Sequence, residues 1–291
     1  LMGPGILGVA ATQINLLVNL ILATGEGTGA VSWLNYSFRL IYLPIGLFGV
    51  SIATAALPVI SKHAALEKLS NVRSTVSNGL RLMLVLNIPA AVGLIVLSLP
   101  IVQLIFERGN FTSSDTAATA AALIFYSPGL IGYSAVKIIA PTFYALRDSR
   151  TPVLISVGTM VFNITINLIL IRLIGYKGLA LGTSIAALLN ASALFWLLKN
   201  RLGGLEGTLV GRTLLKTLIA SAIMGLTAAV VNQQLELLFP GTDFAIQFIR
   251  ILITIASGLI SLGCMARILK LQEFNDAVYH FLKKLQTRRT D

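Results

Sequence analysis

Arg39 and Lys137 are the residues whose type and placement suit chemistry, because each is a cation inside a long apolar run. None of the eleven Asp and Glu residues lies in the interior of those runs, Asp115 standing at the very start of the one that holds Lys137, so neither cation has an acidic partner visible in the sequence. A cation within a bilayer costs roughly 2.5–3.5 kcal/mol even on lenient insertion scales, and is therefore paired, snorkelled to the interface or functional. Left unpaired, the two point to an anionic cargo or ligand. Arginine grips phosphate with a planar fork and lysine meets it as a point charge, so together they suit a phosphate or pyrophosphate group. Arg39 has a purely structural alternative: it lies about two turns from the outer end of its run, close enough to snorkel.

A second group of candidates is neutral. The first apolar run carries Gln13, Asn15 and Asn19, the fifth carries Asn163, Thr165 and Asn167, and the sixth carries Thr183, Ser184 and Asn190. Two of these runs thus hold an Asn pair at i, i+4, on one helix face. Amide and hydroxyl oxygens grouped in this way can replace the hydration shell of a small cation. The plainer reading is interhelical hydrogen bonding, worth about 0.6 kcal/mol per bond in measured membrane cases.

The elements that position these residues are membrane helices. The chain is 56% hydrophobic and 11% charged, with a mean hydropathy of +0.86; soluble domains carry about 25% charged residues. Eight apolar runs, at about 1–24, 31–60, 79–106, 115–145, 152–174, 178–198, 214–235 and 244–269, are each long enough to cross a hydrocarbon layer about 30 Å thick. Continuous runs, not short alternating segments, exclude a spanning barrel. The predicted fold is all-α with eight transmembrane helices.

The net charge of +11 reflects topology, not nucleic-acid binding. Most Lys and Arg residues fall in the connections after the second, fourth and sixth runs and in the C-terminal tail, while the opposite connections hold only Arg108, Arg172, Lys177 and Arg250. The positive-inside rule then places both ends of the sequence in the cytoplasm and puts Trp33 and Tyr36 near the outer interface. The chain opens within an apolar run without a charged leader, which argues against a signal peptide and for part of a longer protein.

Prolines at 44, 58, 89, 100, 128 and 141 predict bent spans. Ser113, Ser114 and Asp115 can cap the fourth span after an ordered outer loop at 107–112. The glycine-rich stretch 199–212 is the best internal boundary, which divides the chain into a six-helix unit at 1–200, a helix pair at 201–270 and a basic amphipathic tail at 271–291 lying on the inner surface. Catalysis finds little support. His63 and His280 lie apart from any ligand cluster, Cys264 is the single cysteine, and no phosphate-binding loop is present. The reading is of a non-enzyme without a cofactor.

Several ordered motifs add a resemblance. Ser32-Trp33-Leu34-Asn35-Tyr36-Ser37-Phe38-Arg39-Leu40 with Leu43-Pro44-Ile45-Gly46, Phe106-Glu107-Arg108-Gly109-Asn110-Phe111-Thr112, Lys137-Ile138-Ile139-Ala140-Pro141-Thr142-Phe143-Tyr144-Ala145, Asp148-Ser149-Arg150-Thr151-Pro152 and Gly175-Tyr176-Lys177-Gly178-Leu179-Ala180-Leu181 resemble the MurJ (MviN) family of lipid II flippases, within the multidrug/oligosaccharidyl-lipid/polysaccharide exporter superfamily. The resemblance implies that the first six spans are the second lobe of a fourteen-helix bacterial inner-membrane protein, that the last two are its extra C-terminal pair, and that a first lobe is missing. It implies carriage of an undecaprenyl-pyrophosphate-linked peptidoglycan precursor by alternating access for cell-wall synthesis, among membrane lipids and alongside cell-wall synthesis enzymes.

By the same resemblance Arg39 matches a cavity-facing arginine implicated in pyrophosphate binding, and Lys137 matches a recurrent lysine. Family members commonly have Asp where this chain has Phe38. Some bind sodium through residues that align with Asn19, Asn163, Asn167 and Thr183 and a backbone carbonyl near Leu179, with aspartates at the first and third of these positions. Neutral amides there balance none of the ion's charge, which counts against Na+ coupling and leaves membrane potential or protons. The alternatives are another exporter of the superfamily, for polysaccharide lipids or drugs, and a non-transporting scaffold for cell-wall enzymes.

Overall fold

The computed structural model describes residues 2–241, 243–271 and 273, and every regular element among them is helical. In chain order these are α1 (Met2–Thr24), α2 (Ala30–Pro44), α3 (Ser51–Ala65), α4 (Leu69–Val96), α5 (Ser98–Phe106), α6 (Ser113–Tyr126), α7 (Gly129–Ala145), α8 (Arg150–Ile174), α9 (Tyr176–Arg201), α10 (Gly207–Leu238) and α11 (Phe244–Ile268). A polytopic membrane protein is the architecture.

The eight predicted spans are not reproduced one for one. Among the described residues six helices are long and apolar enough to cross a membrane, and seven if α6 and α7 form one span with a 47° bend. In α1, a helix of 23 residues, the stretch Gln13–Thr24 is apolar. The predicted run at 79–106 divides between α4 and α5 at Leu97.

Proline placement explains the bends. Pro128 sits at the α6–α7 break, where its ring and missing N–H interrupt the helical ladder. Pro44 ends α2, and the π-turn Ile45–Val50 accommodates it, joining α2 to α3 as one 36-residue span. Pro58, Pro89 and Pro141 lie inside helices that continue past them.

Side chains fill two main cores. Ile60, Val72, Leu80, Ile138, Phe143 and Leu194 pack α3, α4, α7 and α9 together toward the basic end, and Leu34, Ile41, Val102, Leu123, Tyr126 and Leu179 pack α2, α5, α6 and α9 together toward the other. Between membrane helices close backbone approach replaces hydrophobic expulsion as the driving force. A Cβ on Gly132 of α7 would stand 2.5 Å from the Ala187 carbonyl of α9, so glycine sets that crossing. The pair α10–α11 packs on α4 and α5, with Gly225 so close to Val92 that a Cβ would fall 2.6 Å from its Cγ1.

Polar contacts group the connections by end. At the basic end Arg201 pairs with Asp148, and Arg81 pairs with Glu273, which also accepts from the Thr213 hydroxyl at 2.9 Å. At the other end Trp33 Nε1 donates to Asp115 Oδ1 at 2.8 Å and its ring lies 5.2 Å from that of Tyr176. Thr112, not one of the serines after it, caps α6: its backbone N–H donates to Asp115 Oδ2 at 2.9 Å in a capping box. Of the tail read at 271–291, Leu271 is buried and Glu273 is bonded as above; the remainder lies outside the described residues.

Candidate functional site

Where α1, α2, α8 and α9 meet, a cavity of about 500 Å3 opens, lined by Asn15, Asn19, Asn163, Thr183 and Asn190 on its polar side. The i, i+4 spacing on α8 turns Asn163 and Asn167 the same way, and α1 packs against that face. Asn167 Nδ2 donates to Asn19 Oδ1 at 2.7 Å and to Asn163 Oδ1 at 3.1 Å. Thr183 Oγ1 donates to the Leu179 carbonyl at 2.6 Å. Glycine makes room for the cluster, since a Cβ on Gly182 would meet Asn167 Oδ1 at 1.9 Å. Asn163 and Asn167 are buried, while Asn163 Nδ2, Asn167 Oδ1, Asn15 Oδ1 and Asn190 Oδ1 find no partner among the described residues. The structure thus gathers Asn19, Asn163, Asn167, Leu179 and Thr183 into one neutral, partly self-bonded set.

The opposite wall is aromatic. Phe38 stands at the centre of three tyrosines, with ring centroids 5.0 Å from Tyr42, 5.3 Å from Tyr126 and 5.9 Å from Tyr133, all edge-on. Edge-to-face rings attract through their quadrupoles, so the phenylalanine is held by its neighbours without any charge. Tyrosines from three helices do not group in sequence, and reading along the chain missed them. Their signal was the presence of three phenols in otherwise apolar runs.

The cations lie outside this cavity's lining. Arg39 is exposed on α2, its Cζ 5.8 Å from the Tyr36 ring centroid, a distance at which a ring face attracts a guanidinium. Lys137 is exposed on α7 beside the buried Ile138 and Ile139. Neither makes an ion pair or hydrogen bond among the described residues. Their levels differ. The α2–α3 span and α7 run parallel, with Trp33 bonded to Asp115, Ser37 to the Thr119 carbonyl, and Gly49 against Ser134. Arg39 precedes Gly49 by ten residues and Lys137 follows Ser134 by three, which at 1.5 Å per residue separates the cations by roughly 20 Å along the bundle.

Residues 1–254 match the family model described as "Lipid II flippase MurJ". A Vibrio cholerae protein named "Probable lipid II flippase MurJ" is 41% identical over 195 residues, covering 67% of this chain and 37% of that protein. Its Bdellovibrio bacteriovorus counterpart is 30% identical over 272 residues, or 94% of this chain and 51% of its own length. The chain therefore spans about half or less of the relatives it matches. A solved structure described as "Lipid II flippase MurJ, inward closed conformation" superimposes on 90% of this chain and 52% of its own, with a TM-score of 0.71 at 30% identity. An outward-facing multidrug MATE transporter matches at a TM-score of 0.56 and 15% identity, which is likeness of fold alone.

Proposed function

The chain belongs to the MurJ family, and from that membership we propose that it supplies the second lobe and C-terminal helix pair of a flippase for a polyprenyl-pyrophosphate-linked peptidoglycan precursor. The observation that carries the reading is Arg39, an exposed guanidinium on a membrane helix with no acid beside it among the described residues. Such a group is stabilised by an anion, and a pyrophosphate offers its planar fork two phosphates. Lys137, on another level, is a second station along the path and not the other half of a clamp. Residues 1–200 act as the moving lobe, 201–270 as the added pair and 271–291 as an inner-surface tail, with both ends of the sequence cytoplasmic.

Transport needs no covalent step from this chain. A first lobe faces Arg39 across a cleft between the lobes, and rocking of one lobe against the other exposes that cleft to each face in turn. The bend at Pro128 and the π-turn after Pro44 supply places where helices already depart from straightness. Cell-wall synthesis enzymes are the partners expected to receive the cargo.

The amide cluster does not fit a bound sodium ion. Asn167 turns its amide donor toward Asn19 and Asn163, and no carboxylate among the described residues lines the cavity to balance a charge. Transport is therefore sodium-independent and draws on membrane potential or protons. In cells depending on the full-length protein, Arg39→Ala abolishes precursor export while replacement of sodium by potassium leaves export unchanged. Intact export in Arg39→Ala would overturn the cationic-cavity reading, and loss of export without sodium would overturn the second.

A further inference from the structure

Between the start of α2 and the α5–α6 connection lies a second, open cavity of about 540 Å3, whose lining includes Ser32, Tyr36, Phe106, Arg108, Asn110 and Phe111. Its floor is a triangle of rings: Tyr36 lies 4.7 Å from Phe106 and 5.6 Å edge-on from Phe111, and Phe106 lies 6.0 Å from Phe111. Of the two acids of the region Asp115 also lines the cavity, and the bonds of both go to groups other than Arg108. Glu107 accepts the Thr116 hydroxyl at 2.6 Å, and Asp115 accepts from the Trp33 indole at 2.8 Å and from the Thr112 hydroxyl at 2.7 Å. Arg108, exposed at the rim, makes one bond, to the Ile105 carbonyl, and no ion pair among the described residues. A guanidinium has five donors, so most of its fork is left for a ligand.

The same Tyr36 ring that forms this floor lies beside the Arg39 guanidinium at 5.8 Å. The second cavity thus adjoins Arg39 across the Tyr36 ring and lies one turn nearer the end carrying Trp33. We propose that it is an outer headgroup subsite for a sugar phosphate, which the cargo reaches after leaving Arg39. Arg108 takes the phosphate in a bidentate bond. Ser32 and Asn110 bond sugar hydroxyls, and the three rings receive the apolar C–H face of the sugar. A bare phosphate or a glycerol phosphate would use Arg108 but leave the aromatic floor empty.

This rests on the reading of the cargo as a pyrophosphate-linked sugar, and the two are separable by experiment. Calorimetry on the full-length protein in lipid nanodiscs, carrying Arg39→Gln to silence the first station, measures binding of N-acetylglucosamine 1-phosphate against N-acetylglucosamine, inorganic phosphate and glycerol 3-phosphate. Saturable binding of the sugar phosphate at least tenfold tighter than any of the other three is expected. Adding Arg108→Gln weakens it tenfold or more, and adding Arg108→Lys, which keeps the charge without the fork, weakens it less. No saturable binding, equal binding of glycerol 3-phosphate or inorganic phosphate, or full affinity in the Arg108→Gln protein would overturn the subsite. None of these outcomes depends on export, which the Arg39→Ala cells report separately.

Discussion

Two arginines at each end of the bundle are placed in opposite ways. At the basic end Arg81 and Arg201 are tied to Glu273 and Asp148, and Thr213 and the Leu146 carbonyl add further bonds. At the other end two carboxylates, Glu107 and Asp115, are also available, yet they bond to hydroxyls, a backbone N–H and an indole. Arg39 and Arg108 stay free of them. Pairing at one end holds helices and connections in register, whereas at the other the acids serve as struts and the cations remain open to an anion. Charge count alone does not distinguish the two arrangements; where the carboxylates point does.

The largest effect should come from removing a free cation. Arg39→Ala eliminates export, a loss of at least tenfold, while its melting temperature in detergent stays within about 2 °C of the parent, because no contact within the fold depends on the guanidinium except the Tyr36 ring. Arg81→Gln should invert that pattern. It leaves a partly buried Glu273, 11% exposed, with only the Thr213 hydroxyl, and costs about 1–3 kcal/mol of stability. Export per folded molecule is retained. Thermal melts and export assays on both variants check the contrast, and a destabilised Arg39→Ala protein or an unaffected Arg81→Gln protein would erase it.

How much of this was legible in the sequence follows the range of each signal. Hydropathy reports on contiguous residues, so the long helices α4, α8, α9, α10 and α11 were visible, and so was the span containing Arg39. It does not locate a break, and although Pro100 predicted a bend in the third run, the division of that run at Leu97 into α4 and α5, three residues before the proline, is seen only in the structure. Asn163 and Asn167 were readable as a pair because four residues make one helical turn. Their bond to Asn19 crosses 148 positions of sequence, and only the family resemblance had placed the three together. The tyrosines around Phe38 come from α2, α6 and α7 and carried no spacing to find them by. Arg39 and Lys137 were legible as unpaired, but not as occupying different levels, since that depends on the parallel packing of the α2–α3 span against α6 and α7.

The smallest effect tests the tied end by pH. Burial alone would raise the Asp148 carboxyl, but bonds from the Thr151 backbone and hydroxyl, the Arg201 guanidinium and the Arg150 backbone together hold it below its ordinary value of 3.8. The folded protein therefore binds this proton more weakly than the unfolded chain does. Its stabilisation is complete above about pH 4 and is lost as the pH falls through the lowered folded value. Asp148→Asn keeps an oxygen for the backbone donors of α8 but gives up the charge opposite Arg201, whose side chain is 42% exposed and largely screened. The melting temperature should drop by about 2 °C or less at neutral pH, and the gap to the parent should close in acid below pH 4.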